Sequence, residues 1–470
     1  MSEIVLVTGA TGYIGGLLIP KLIERGIHVR ALARNRERIR LRRWYEQVDI
    51  AEGDVLQPAA LLSALDGVHT AYYLIHNMSN GRGYTYLETR AAENFVRAAE
   101  QAGVQHIIYL GGLADTDKKV SYHMASRINT GKVLSRGKVP VTEFRAGVIV
   151  GPGSISFEMI RFMTELMKII FGPVWLQNRA QPIAVQNVID YLLAALESTN
   201  EQSRVFEIGG PDVMSYADLM LTYGRLRGLW RKYVIVPGVP VWFMALGVEW
   251  MTPVPTAIAI PLVDGMRSES VVKDKSALQF FPNIRLIGYK DAVKESLSHL
   301  NPKYIEPVWK SDAPVVKIMK HEGFFIDHRC EIVNASSEKV FYVVASLGGK
   351  RGWLYANWLW KLRGWFDRLF GGPGMRGRAE SLTVGGVVDF YRVEAIESGH
   401  LFRLYSELKA PGDGWMEWRI ESDGKITRLS QTGFFTPRGL PGFLYWYGLG
   451  LFHKLVFRGL IKAIVRRSET

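Results

Sequence analysis

"VTGATGYIG", residues 7–15, follows the apolar run "EIVLV" and opens the helical stretch "GYIGGLLIPKLIERG" at 12–26. Three glycines stand at the junction. Gly9 permits a tight turn, Gly12 lets the backbone approach a diphosphate, and Gly15 lets the helix pack close to the strand. Thr11, Tyr13 and Ile14 complete the loop. A phosphate held here would meet the free N–H groups and the positive dipole end of the helix. The glycine spacing alone is a weak signal, but the strand before it and the helix after it supply the context that the motif requires. The loop therefore predicts a dinucleotide site.

Outward from the loop, strand-like and helical segments alternate. "IHVRALA" (27–33), "VDIAEGDV" (48–55), "VHTAYYLI" (68–75), "VQHIIYLGG" (104–112) and "PVTEFRAGVIVG" (140–151) read as strands, and "ETRAAENFVRAAEQAG" (88–103) reads as a helix. This alternation predicts an α/β, doubly wound parallel sheet covered by helices on both faces. NAD binders commonly place a carboxylate at the tip of the second strand to hold the ribose hydroxyls. Here that strand runs out as "RALARNRER", with Arg34 at the tip and no acid. A guanidinium there would pair with a 2′-phosphate, so NADP(H) is preferred over NAD(H). Asp54 and Val55, after the third strand, are placed for the adenine. Asp54 reads equally well as an N-cap for "LQPAALLSAL".

From 152 to about 300 the alternation loosens into a substrate-side subdomain. Its greasy stretch 234–263 is broken by five prolines. A membrane-spanning helix needs about 20 continuous apolar residues, so a lid or packed subdomain is the better reading. Residues 301–316 hold three prolines and read as a linker between a first domain, 1–300, and a second, 317–470. Eight of the thirteen tryptophans lie beyond residue 300, where "HRCEIVNAS", "VGGVVDFYRVEAIE", "HLFRLYSELK", "GWMEWRIES" and "ITRLSQTGFFTP" read as antiparallel strands. A helical stretch at 443–467 follows, giving an α+β domain.

These segments carry a family resemblance. "TGATGYIG", "GDV" and "RAGVIVGPGS" resemble the extended and atypical short-chain dehydrogenase/reductases, especially the NmrA-like group that binds NAD(P) on a Rossmann sheet. "YANWLWKLRGWFDRLFGGPG", "LFRLYSELKAPGDGWMEWRI" and "SQTGFFTPRGLPGFLYWY" resemble the domain of unknown function DUF2867. That domain is similar to the START-like helix-grip folds, and the resemblance implies a sheet wrapped on a long helix around an apolar cavity.

In the short-chain reductases a tyrosine moves the substrate proton, and a lysine four residues on lowers its pKa from about 10. The corresponding stretch here is "SYHMASRINTGK", 121–132, where Tyr122 is followed four residues later by Ser126. Gly111 and Gly112 stand where a positioning hydroxyl would be. Two readings follow. Either Tyr122 or His123 is a substitute acid, with Arg127 one turn on holding an anionic group, or these residues only build the cofactor pocket. A histidine titrates near neutrality and can donate without a lysine, although one at a helix start is more often structural.

The net charge of +13 concentrates at Arg30, Arg34, Arg36, Arg38, Arg40, Arg42 and Arg43, and again over 350–378. No nucleic-acid motif accompanies these residues, so phosphates or a solvated face explain them better than nucleic acid. Trp353, Trp360 and Phe370 read either as core or as the lining of a ligand pocket. In the last helix Leu451, Leu455, Leu460 and Ile464 flank Lys454, Arg458, Lys462, Arg466 and Arg467. That pattern closes a cavity on one reading and makes weak peripheral contact with anionic lipid on the other. The lone Cys330 and the absence of a basic, then apolar, leader point to a cytoplasmic protein. The whole pattern predicts an NADP(H)-dependent oxidoreductase for a hydrophobic carbonyl, enone or quinone-like substrate. The alternative is an NADP(H)-binding regulatory protein without turnover.

Overall fold

The computed structural model describes residues 3–40, 42–76, 83–115, 117, 120–198, 202–306, 314–422, 424 and 426–470. The chain divides into two compact units, Met1–Thr164 with Ile169–His299, and Glu165–Lys168 with Leu300–Thr470.

The first unit carries β1 (Ile4–Val7), α1 (Tyr13–Glu24), β2 (His28–Ala33), β3 (Asp49–Glu52), α2 (Pro58–Leu65), β4 (Val68–Tyr73), α3 (Tyr84–Ala102), β5 (His106–Gly112), α4 (Tyr122–Leu134), β6 (Val141–Ala146), α5 (Val185–Leu196) and β7 (Arg204–Ile208). The strands form one parallel sheet in the order β7-β6-β5-β4-β1-β2-β3. The central strands β1, β4 and β5 are largely buried along their length, and because successive side chains point to opposite sides, both faces of the sheet there belong to the core. Val5 and Val7 join the core under α1 and α5, with Leu18, Leu22, Val188 and Leu192. Leu6, between them, joins the opposite core with Leu61, Phe95, Ala99 and Leu134 of α2, α3 and α4. The order reverses at β1, between β2 and β4, which is where open α/β sheets bind ligands.

The proline-broken stretch folds as α6 (Val241–Met251) and α7 (Thr256–Gly265). Pro240 and Pro255 sit immediately before the two helix starts, where a missing N–H is no loss. Among the described residues no helix is long and apolar enough to cross a membrane.

The second unit carries β8 (Val315–His321), β9 (Phe324–Val333), α8 (Ser337–Ala345), α9 (Asn357–Leu369), β10 (Val387–Val388), β11 (Tyr391–Glu397), β12 (Leu401–Ser406), β13 (Gly412–Ser422), β14 (Thr427–Pro437), α10 (Gly439–Gly448) and α11 (Gly450–Glu469). Its sheet is antiparallel throughout, in the order β8-β9-β14-β13-β12-β11-β10. Val456, Leu460, Ile461 and Ile464 of α11 are buried in its core beside Val340 and Val344 of α8. α11 thus packs with α8 into the core of one antiparallel sheet.

Three details differ from the sequence reading. Within 301–316, read as a linker, Pro302–Tyr304 is a 3-10 turn and Val315 already opens β8, while 307–313 lies outside the described residues. The single helix expected over 443–467 is two helices, because Gly448 and Gly450 weaken its continuation on either side of Leu449. Its apolar stripe also divides: Leu460 and Ile464 are buried, whereas Leu451 and Leu455 are exposed.

His106 Nε2 lies 2.9 Å from the Thr142 hydroxyl, joining β5 to β6 inside the sheet. Burial, and then the charge of His69, push this imidazole down to about 4. The unfolded chain takes up the same proton near pH 6.5, so the stability this site contributes is complete above that value and is lost as pH falls toward 4. At about 1.4 kcal/mol per pK unit, the site makes the first unit less stable at pH 5 than at pH 7 by about 2 kcal/mol. Replacing His106 with Gln, which keeps a hydrogen-bonding group, is expected to flatten the pH dependence of that unit's thermal unfolding between pH 7 and 5. An unchanged slope would count against the buried neutral imidazole.

Candidate active site

The loop that opened the sequence reading forms one end of a cleft of about 490 Å³. Gly9 has φ +66, and a Cβ there would stand 2.6 Å from the Leu74 carbonyl oxygen. A Cβ on Gly15 would meet the Gly9 carbonyl oxygen at 2.5 Å. At Gly12 the only neighbour within 4 Å would be that same oxygen, at 3.0 Å, so this position faces open cleft. α1 begins immediately after Gly12 with no side-chain cap. Its first turn thus offers backbone N–H groups to a ligand. A diphosphate fits these residues: glycines stand at the points of close backbone approach, and the helix start carries no side-chain cap.

All nine residues named for the cofactor line this one cleft: Gly9, Thr11, Gly12, Tyr13, Ile14, Gly15, Arg34, Asp54 and Val55. Arg34 is exposed just beyond the end of β2, with no carboxylate at the strand's tip. Asp54 does not cap α2, whose N-cap is Gln57. Its carboxylate instead accepts from the Leu56 N–H at 2.9 Å, closing a local turn. The arginine run divides by role. Arg30 donates to the carbonyls of Ala64 and Asp66, Arg36 reaches the Tyr45 hydroxyl, and Arg42 donates to the Thr11 carbonyl at 2.9 Å. Arg42 therefore braces the phosphate loop from behind, a contact that the sequence reading did not assign.

At the other end stand the residues considered for proton transfer. Ser121 caps α4 by accepting from the Met124 N–H. The helix then turns His123, Met124 and Arg127 into the cleft. Tyr122 is not among the lining residues and is 84% exposed, so α4 does not bring it to the site. Met124 explains the glycine opposite: a Cβ on Gly112 would lie 2.8 Å from the Met124 Cε.

The position expected to hold lysine is occupied differently. Ser126 is buried and donates to Glu88 Oε2, and Glu88 Oε1 pairs with His76 Nδ1 at 2.8 Å. The His76 ring lies 4.9 Å from the His123 ring. Arg127 donates to the Leu110 carbonyl and lies 5.5 Å from the Tyr109 ring centroid. The site is thus a Glu88–His76–His123 cluster beside a fixed guanidinium, and the sequence reading found only His123 and Arg127.

This setting overturns the expectation that His123 titrates near neutrality. Burial, then the charges of His76 and Arg127, push it down to about 3. Burial and Arg127 lower His76 as well, outweighing the Glu88 hydrogen bond. Both imidazoles are neutral at pH 7, so the permanent cation of this cluster is Arg127.

The far wall is apolar. Met159 and Ile160 line it, together with Pro261, Leu262 and Met266 at the end of α7. The stretch that looked membrane-like by composition therefore contributes a wall of the cleft.

Comparison with known proteins agrees with this geometry. Residues 9–134 match a family model described as NAD(P)H-binding, and residues 324–460 match DUF2867, a protein family of unknown function. Over 113 residues the chain is 30% identical to cinnamoyl-CoA reductase 1 of rice, covering 23% of this chain and 33% of that protein. Over 262 residues it is 27% identical to the chloroplastic divinyl chlorophyllide a 8-vinyl-reductase of maize, covering 50% of this chain and 61% of that protein. The chain thus spans between a third and three-fifths of the length of these two relatives. The triphenylmethane reductase of a Citrobacter species, solved with NADP(H), superposes with a TM-score of 0.51 at 20% identity, over 62% of this chain and 99% of that one. At that identity the likeness is one of fold. The chain therefore joins an N-terminal NAD(P)H-binding domain of the NmrA-like, atypical short-chain dehydrogenase/reductase kind to a C-terminal DUF2867 domain.

Proposed function

We propose that the chain is an NADPH-dependent reductase of conjugated, hydrophobic acceptors, enones and quinones before simple ketones. The observation that carries this reading is the single cleft joining the glycine loop and Arg34 to a neutral imidazole pair, a fixed guanidinium and an apolar wall. When bound, the nicotinamide would supply a hydride. The loop amides of α1 would hold the diphosphate, and Arg34 would pair with the 2′-phosphate. Leu262, Met266 and Ile160 would exclude water from the acceptor. The reductase names of the rice, maize and Citrobacter proteins agree in reaction class with this reading.

The acceptor class follows from the missing acid. Reduction of a simple ketone leaves a strongly basic alkoxide, which must take a proton as it forms. Reduction of an enone or quinone leaves a delocalised and far less basic oxyanion. Arg127 would stabilise such an anion electrostatically. His76, anchored through Nδ1 on Glu88, would relay the proton from solvent through Nε2 after the charge has formed. The C-terminal domain's own cavity would hold a hydrophobic ligand. A protein of the reducing cytoplasm, with anionic lipid as its weak peripheral contact, suits this reading.

A regulatory protein that binds NADP(H) without turnover is the second reading, favoured by the outward-facing Tyr122. A panel of quinones, enones and ketones separates the two. NADPH oxidation is expected with the first two classes at least tenfold faster than with simple ketones. NADPH binding without oxidation of any acceptor would favour the regulatory reading.

Arg34→Asp is expected to lower the NADPH-over-NADH ratio of kcat/KM by roughly ten- to a hundredfold, each tenfold being about 1.4 kcal/mol. An unchanged ratio would place the 2′-phosphate elsewhere. Arg127→Met is expected to lower kcat with a quinone by about a hundredfold, the usual cost of losing one oxyanion-stabilising group. The KM for NADPH should stay unchanged. A parallel rise in that KM would instead mean that Arg127 holds the cofactor.

A further inference from the structure

The C-terminal domain encloses a cavity of about 280 Å³ between α9, the sheet and the α10–α11 corner. Its lining is largely aromatic and aliphatic. Trp360, Phe390, Trp415, Phe434 and Phe457 give it an apolar interior. Leu362 and Phe366 line it and are 41% and 45% exposed, so the cavity opens beside α9.

Arg363 and His453 break this apolar wall, with the hydroxyl-bearing Tyr391, Ser406 and Tyr445 also on the lining. Arg363 reaches the cavity from α9, and its Nη2 donates to the Tyr445 hydroxyl at 3.2 Å, with that ring's centroid 5.8 Å from the guanidinium carbon. Among the described residues no carboxylate lies within ion-pair distance of it. His453 is set in an aromatic stack, parallel to Phe457 at 5.2 Å and tilted on Trp446 at 5.2 Å. Its Nδ1 is shut off from solvent and has no hydrogen-bond partner. Burial, then Arg363, lower this imidazole to about 4, so it is neutral at pH 7.

A buried polar atom without a partner costs roughly 1–3 kcal/mol, and a cation beside an apolar cavity retains most of its demand for a counter-charge. Both side chains line the same, largely apolar volume. Trp353 stacks on Trp360 at 4.3 Å and belongs to the core behind this wall, whereas Phe370 is 75% exposed and lines nothing here. A neutral hydrocarbon would fill the space and leave Arg363 and His453 Nδ1 unsatisfied.

We propose that this cavity binds a single-chain anionic amphiphile, its head on Arg363 and His453 Nδ1 and its chain among Trp360, Phe390, Trp415, Phe434 and Phe457. The volume, at the lower end of the roughly 300–1,000 Å³ usual for small-molecule sites, excludes a two-chain lipid. The proposal rests on the reading that the C-terminal cavity holds an apolar ligand, and is independent of hydride chemistry in the first domain.

Calorimetry on the full-length chain with decanoate and with decan-1-ol tests it. Decanoate is expected to bind one to one and at least tenfold more tightly than the alcohol. Arg363→Leu should weaken decanoate at least tenfold and leave the alcohol within twofold. Gly414→Leu should abolish both, since a Cβ at this lining position meets nothing closer than 3.6 Å and the added side chain would enter the cavity. Equal affinity of the native chain for the two ligands, or decanoate binding unmoved by Arg363→Leu, would overturn the anionic head. Failure of both ligands on native chain that still binds NADPH would overturn the cavity itself. NADPH oxidation followed in the same samples reports on the reductase reading separately, so the two fail independently.

Discussion

The first domain is organised around a contact that no side chain can enter. Gly15 of α1 packs on the backbone of Gly9, and Gly9 packs on that of Leu74, with a Cβ at either position falling within 2.6 Å of a carbonyl oxygen. Such distances are well inside van der Waals contact, so any larger residue would force the helix off the sheet. The consequence is directional. Seated this closely, the start of α1 comes level with the C-terminal ends of β1 and β4, at the point where the strand order reverses. Its uncapped amides then face a cleft rather than solvent, and the anion site follows from the packing.

That contact was legible in the sequence because it is local. Nine consecutive residues hold the strand end, the turn and the helix start, and each glycine has one steric reason to be there. Arg34 was legible for the same reason, as the first residue beyond β2. The proton-transfer cluster was not. Glu88, His76 and Ser126 are spread over 50 residues of sequence and meet only because α3 and α4 lie side by side on one face of the sheet. Glu88 reads in the sequence as the first residue of a helix, yet α3 begins at Tyr84 and Glu88 is buried. Tyr122 failed for the opposite reason. It matched a pattern by position, but as the first residue of α4 nothing packs over it.

Burial changes what the remaining histidines are able to do. An exposed imidazole near pH 6.5 would be an adequate acid, and the sequence reading of His123 assumed one. Packed against His76 and beside Arg127, His123 cannot gain a proton without placing a second cation in a confined, weakly polar space. The positive charge of the cluster stays on Arg127, the group that cannot lose it. Such a site is better suited to stabilising an anion that forms during reaction than to delivering a proton in advance.

The same arrangement recurs in the second domain on an unrelated sheet. Arg363 stands to His453 as Arg127 stands to His123: the guanidinium is fixed, the imidazole is buried, and the former helps keep the latter neutral. Apolar walls surround each pair. With a guanidinium beside a neutral imidazole, each pair disfavours a cationic group and favours an anionic one, the more so because low polarity strengthens the attraction. Hydrophobic lining then sets what the anion must be attached to. On the proposed readings that body would be a conjugated acceptor beside a phosphorylated cofactor in the first domain and a chain in the second. Two folds with no common topology thus share one device, a permanent cation whose neighbouring base is held uncharged.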